Sequence, residues 1–333
     1  MGNLCISFDF EMYWAFIGER AYDSYKANML GKRKAIPRIL ELFERYDIHA
    51  SWATVGLIMC EDGEELEGYR PKKMPSYLAN AISPYKYLSS KKTQSRLKSD
   101  AEFKKCHFAP DLVRTILDCP NQELATHTFS HYYCNEPGQT IDEFDADIEA
   151  AKKIALNKFG VDIKSIIFPR HQTNKQCLDV CFKHGIKCYR GNQKSWLFND
   201  VDSQKDSLIK KTLRYADNFF NLTGSNISHI YTRKNNLINI PASFFLRPYD
   251  KRFALLNCFR LQRIKNAMKN AANTDHVCHL WLHPHNYGVD IEENLTFLNE
   301  IFEYYTQLNK ESGFKSLNMK ELADEHEQTG IAW

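Results

Sequence analysis

Four short stretches of this 333-residue chain place acids, imidazoles and a guanidinium at spacings suited to work on a water molecule. Ser7-Phe8-Asp9-Phe10-Glu11 carries carboxylates at i and i+2, and alternate side chains of an extended strand share a face, so both can address one site. Thr126-His127-Thr128-Phe129-Ser130-His131 carries imidazoles at i and i+4, which in a helical turn lie on one face and suit a divalent metal. Thr128 stands where the zinc-protease motif has Glu, so this pair is of another kind. Phe168-Pro169-Arg170-His171-Gln172 offers an Arg able to grip a carboxylate or other anion through two N–H groups. Leu280-Trp281-Leu282-His283-Pro284-His285 ends an apolar run on an imidazole, with His285 a rival two residues on. Each stretch alone also reads as a polar strand end or a packed side chain. Together they place two acids, two ligand-type imidazoles, an Arg and another His in one chain, a set that can assemble an active site.

These stretches fall at the ends of apolar segments. Strands are predicted at Leu4 to Phe8, Ile48 to Val55, Glu123 to Ala125, Ile163 to Phe168, Ile186 to Tyr189, His276 to Leu282 and Phe314 to Leu317. Helices are predicted over Lys32 to Tyr46, Phe144 to Phe159 (ended by Gly160), Lys175 to His184 (ended by Gly185) and Ile291 to Leu308. Strand and helix alternate, which favours an α/β architecture with parallel strands, and β/α barrels assemble their sites at successive strand exits. Two stretches, near 58–108 and 192–236, break the rhythm and are expected as insertions at the rim of one domain spanning 1–333.

This order of motifs resembles the polysaccharide deacetylases (NodB homology, carbohydrate esterase family 4-like). Their pattern is an acidic pair after the first strand, a His-Ser/Thr-x-x-His pair, an Arg motif and a late Leu-x-x-His-type motif. The likeness runs from Ile6 to His285, and Phe314-Lys315-Ser316-Leu317 with Leu322-Ala323 resembles the closing strand and helix. The resemblance implies a distorted (β/α) barrel of roughly seven parallel strands. It also implies a divalent metal, with zinc suited to two His and a carboxylate and iron, cobalt or nickel fitting the same ligands. By position it makes His127 and His131 metal ligands, Asp9 the general base, Arg170 the residue holding that base, and His283 the general acid. Phe10 stands where the family usually has its second acid, the metal ligand, so either Glu11 reaches the metal or Asp9 does and leaves Glu11 as base. His171-Gln172-Thr173 replaces the Pro-Tyr that usually follows the Arg.

The activity implied is removal of an N-acyl, acetyl-type group from an amino sugar. Two alternatives stand beside it: a catalytically silent relative that binds carbohydrate or metal, and an enzyme of the same fold acting on another amide or transferring acyl groups. Lys and Arg number 44 against 41 Asp and Glu, too even a balance for a nucleic-acid binder. No apolar run reaches the ~20 residues of a membrane span, and Met1 leads directly into a strand, so a cytoplasmic protein with reduced thiols is expected. That setting points to a nucleotide- or lipid-linked sugar, or a growing surface polysaccharide such as capsule or O-antigen. Tyr132, Tyr133 and Trp281 lie close enough to the motifs to stack on a sugar ring or to pack in the core.

Overall fold

In a computed structural model, which describes residues 2–193, 195–198, 207–232 and 237–329, the centre of the protein is a curled sheet. Its strands in chain order are β1 (Asn3–Phe10), β2 (Ala50–Thr54), β3 (Gln122–Thr126), β4 (Ser165–Ile166), β5 (Cys188–Tyr189), β6 (Tyr231–Thr232), β7 (Ile238–Asn239), β8 (Phe244–Phe245), β9 (Val277–Leu282) and β10 (Lys315–Ser316). They lie in the order β6-β7-β5-β4-β3-β2-β1-β9-β8, with β10 beside β1, and β6 alone runs antiparallel to its neighbour. β7 and β8 are the two ends of one extended stretch. Its first half bonds β5, Ile240 N donating to Tyr189 O, and its second half bonds β9, Ser243 N donating to His279 O. That stretch joins the margins of the sheet and curls it into the expected distorted (β/α) barrel.

Alternation along β1 separates two layers. Leu4, Ile6, Phe8 and Phe10 point outward into the main core beneath the helices, where Phe8 stacks on Trp52 with ring centroids 3.8 Å apart. Cys5 points inward to a lumen of mostly small and β-branched residues, Ala53, Ala125, Ile167, Cys188 and Ile240, plugged at the base by Met319 and Leu322. Nearer the C-terminal rim the inward residues turn polar: Ser7 and Asp9 on β1, His279 on β9 and Arg190 just past β5, all buried. Parallel strands deliver their C-terminal ends to one rim, so the four sequence stretches converge there.

The helix over Tyr22–Tyr46 starts earlier than predicted. The helix Ile141–Phe159 opens on a capping box in which the Thr140 and Glu143 side chains satisfy each other's backbone N–H groups. Insertion 58–108 folds into short helices, Gly63–Tyr69, Pro84–Ser89, Lys91–Ser99 and Ala101–Lys105, and His107 packs among Tyr22, Tyr87 and Phe103. In the second insertion the helix Leu208–Ala216 is described, while residues 194, 199–206 and 233–236 lie outside the described residues. The sequence pattern placed no helix at Asn257–Ala272. Its inner face includes Arg260 and Arg263, whose buried guanidiniums interrupt the apolar period. No helix among the described residues is long and apolar enough to cross a membrane.

Candidate metal centre and active site

His127 and His131 follow β3 in an irregular loop, which corrects the expected helical turn: Thr128 and His131 take φ of 65° and 58°. The N–H groups that a helix would turn inward are claimed instead by buried Asp147, whose carboxylate accepts from Phe129 N at 2.6 Å, Ser130 N at 3.2 Å and the Ser130 hydroxyl. Burial pushes the Asp147 carboxyl up to about 6. The loop still brings the two imidazoles together, with ring centroids 5.0 Å apart.

Glu11, just past the end of β1, meets both rings. Its Oε1 lies 3.2 Å from His127 Nε2 and 3.4 Å from His131 Nε2. The other nitrogen of His127, Nδ1, sits 2.8 Å from Ile167 O. A carbonyl only accepts, so Nδ1 carries a proton there and Nε2 is the nitrogen turned toward Glu11. His127 Nε2 is buried with no hydrogen-bond partner, leaving a lone pair opposite a carboxylate oxygen. Two electron-rich atoms in that position call for a cation between them. The three ligand atoms of Glu11, His127 and His131 lie within 4.8 Å of one another, and the residues fit a divalent metal. Burial pushes the His131 imidazole down, keeping it neutral as a ligand must be. Burial would raise Glu11, but the neighbouring imidazoles, His283 foremost, outweigh it and hold the carboxyl well below its usual range.

Asp9 stands beside this cluster in the grip of Arg190, whose Nη1 and Nη2 donate to its two oxygens at 2.7 and 2.8 Å. Burial alone would raise Asp9; Arg190 overrides it and holds the carboxyl well below the carboxylate range. Arg190 Nη1 also donates to Ser7 Oγ at 3.0 Å, and His279 Nε2 lies 2.9 Å from the same oxygen. The expectation that Arg170 holds Asp9 is therefore corrected. Arg170 takes φ 52° after β4, stacks on Tyr133 and turns outward to Glu136 at 3.0 Å and to Glu19. Arg190 was missed because no motif marks it. The rule that would have found it is its place immediately after the strand Ile186 to Tyr189.

His283 Nε2 lies 3.7 Å from both Asp9 Oδ2 and Glu11 Oε1, partly open to the cleft. His285 is more deeply buried, against Phe16, and its Nδ1 stands 3.8 Å from Glu11 Oε2; burial, then the neighbouring His283, holds it well below the usual imidazole range. Burial pushes His171 down to about 3, so it too is neutral. The cleft over these groups has a volume of about 970 Å³, with Tyr133 and Trp281 in its walls. Tyr132 does not line it and packs in the core against Phe144.

The model of the polysaccharide deacetylase family matches residues 23–189, half of the chain. The chain belongs to the polysaccharide deacetylase family. For this deacetylase-family chain the match takes in His127, His131 and Arg170, while Asp9, Glu11, Arg190 and His283 lie outside it and are brought to the site by the barrel. A putative polysaccharide deacetylase from Mycobacterium smegmatis superposes with a TM-score of 0.60 at 11% identity, covering 99% of this chain and 92% of that one. Puue allantoinase gives 0.56 at 13% identity over 98% and 90% of the two chains. A GH57-type branching enzyme from Pyrococcus horikoshii gives 0.55 at 13%, over 100% and 72%. At these identities the likeness is one of fold. No curated protein sequence matches the chain.

Proposed function

We propose that this chain is a metal-dependent amide hydrolase that removes an N-acyl, acetyl-type group from an amino sugar. The observation that carries this reading is the bare Nε2 of His127 facing Glu11 Oε1 at 3.2 Å, with His131 Nε2 beside it. Glu11, His127 and His131 would hold the metal, with zinc the ion best suited to them. When bound, the metal supplies a Lewis acid for the amide carbonyl and brings the pKa of a water from near ~16 toward ~7.

The remaining steps belong to the chain's own groups. Asp9, its oxygens fixed by Arg190, stays ionised across the neutral range and accepts the proton of the attacking water. The Asp9 base and the Glu11 ligand follow from their partners: a guanidinium faces the first and two imidazoles face the second. His283, within reach of both carboxylates and open to the cleft, gives a proton to the departing nitrogen. The C–N bond breaks, the acyl group leaves as a carboxylate and the sugar as an amine. Tyr133 and Trp281 offer faces for a sugar ring in the cleft. In this reading the substrate is a nucleotide- or lipid-linked sugar, or a growing surface polysaccharide, met in the cytoplasm.

The test is amine release by zinc-loaded protein from a panel of N-acetylated sugars, with Asp9→Asn as control. Release by the wild type and none by the variant is expected. Zinc binding with no amine released from any sugar would make the protein a silent binding relative.

A further inference from the structure

A second cavity, of about 180 Å³, opens beside the metal cleft, and His171, Asn192, Phe245 and Trp281 line both. Among the described residues its own walls combine Phe198 and Phe244 with three arginines, Arg214, Arg247 and Arg263, against one acid, Asp217. That acid is already engaged, at 3.0 Å from Arg263 Nη2. Arg247 has no acidic partner among the described residues; its guanidinium lies over the rings of Tyr215 and Phe245, and its Nε is buried without a hydrogen bond. Burial lowers its pKa with no carboxylate to offset the cost. Two more buried polar atoms on the same wall lack partners, Trp281 Nε1 and His171 Nδ1. Buried polar groups are normally satisfied, so Trp281 Nε1 and His171 Nδ1 beside a cationic side chain with an unbonded Nε of its own describe a site built for a ligand. Apolar walls lower the local dielectric and strengthen a charged hydrogen bond made there.

We propose that this cavity is a second subsite, in which Arg247 and the Trp281 indole N–H hold an anionic group, a carboxylate or phosphate, carried by the sugar whose N-acyl group sits at the metal centre. The inference rests on the hydrolase reading for the identity of the sugar. The anion itself is argued from the cavity alone. The natural substrate is then an acidic or phosphate-linked N-acyl sugar, and Arg247 sets specificity without touching the scissile amide.

The experiment is calorimetric binding of N-acetylglucosamine, its 1-phosphate and its 6-carboxylate to zinc-loaded wild type, Arg247→Gln and Arg247→Lys. One of the two anions should bind the wild type about tenfold tighter than the neutral sugar, and the tighter of the two identifies the source of the charge. In Arg247→Gln the anion should fall to within about twofold of the neutral sugar, with bound zinc unchanged, and Arg247→Lys should restore part of the preference. Equal affinity of the wild type for all three, or absent binding of all three, overturns the proposal. So does a preference that survives Arg247→Gln. Amine release from the neutral sugar without any anion preference would keep the hydrolase and remove the subsite. An anion preference without amine release would keep the subsite and remove the hydrolase.

Discussion

His107 and His127 are both buried imidazoles with one nitrogen on a backbone carbonyl, Phe103 O at 2.7 Å and Ile167 O at 2.8 Å. They part at the other nitrogen. His107 Nε2 meets the Tyr87 hydroxyl at 2.9 Å, so its ring is satisfied within the aromatic packing of the 58–108 insertion. His127 Nε2 meets a carboxylate oxygen at 3.2 Å and makes no hydrogen bond. The first ring completes a core, whereas the second leaves Nε2 without a hydrogen-bond partner, beside Glu11. A buried His is thus defined by what stands across from its second nitrogen.

The sharpest way to break the comparison is to remove each ring. His127→Ala or His131→Ala should lower amine release by about 10³-fold or more, because the electrophile and the activated water go together. His107→Phe should leave turnover per folded molecule within about twofold, since its ring touches no part of the site. Turnover normalised to folded protein checks both, and equal losses would erase the distinction.

A somewhat smaller effect separates the two imidazoles after β9. His283→Ala should retain the metal and lose about 10²- to 10⁴-fold in turnover, the usual contribution of a general acid. If His285→Ala produces that loss and His283→Ala does not, the buried ring is the acid. The two arginines differ next. Arg190→Met leaves Asp9 buried without its partner and should cost about 3–5 kcal/mol in urea unfolding. Arg170→Met breaks a part-exposed pair and should cost under about 1 kcal/mol. Equal costs would mean that Arg190 does not secure Asp9.

The smallest effect is a slope. Burial, above all, lowers His107 from the ordinary 6.5 to about 4. Below pH 6.5 the unfolded chain takes up a proton that the folded ring refuses. The stability from His107 is therefore complete above pH 6.5 and lost as pH falls toward 4, about 3 kcal/mol in all. Urea midpoints at pH 7 and pH 4.5 should separate less in His107→Phe than in the wild type. An unchanged separation would show that His107 does not carry the slope.

Much of the barrel was legible because its strands are apolar runs closed by Gly or by polar residues, and because Asp9, Glu11, His127, His131 and His283 sit at their exits in chain order. Glu11 in particular reached the two imidazoles despite Phe10, whose ring turns outward into the main core while its neighbours face in. The loop of His127 and His131 was not legible, because its shape depends on Asp147, 16 residues beyond His131 and on a helix packed against it. Arg190 was hidden for a related reason. Its meaning is a contact with Asp9 across 181 positions, which no local spacing encodes. The (β/α) closure by β7 and β8 was hidden because those strands are two residues each, parted by Pro241 in a short apolar run that offers no clear strand period.

Metal content of the purified protein after loading with zinc and exhaustive dialysis, compared between wild type and Glu11→Gln, tests the central claim most directly. About one zinc per chain in the wild type and a small fraction of that in Glu11→Gln is expected, with His107→Phe matching the wild type. Wild type that retains no zinc, or Glu11→Gln that retains as much, would contradict the assignment of Glu11, His127 and His131 as the metal centre.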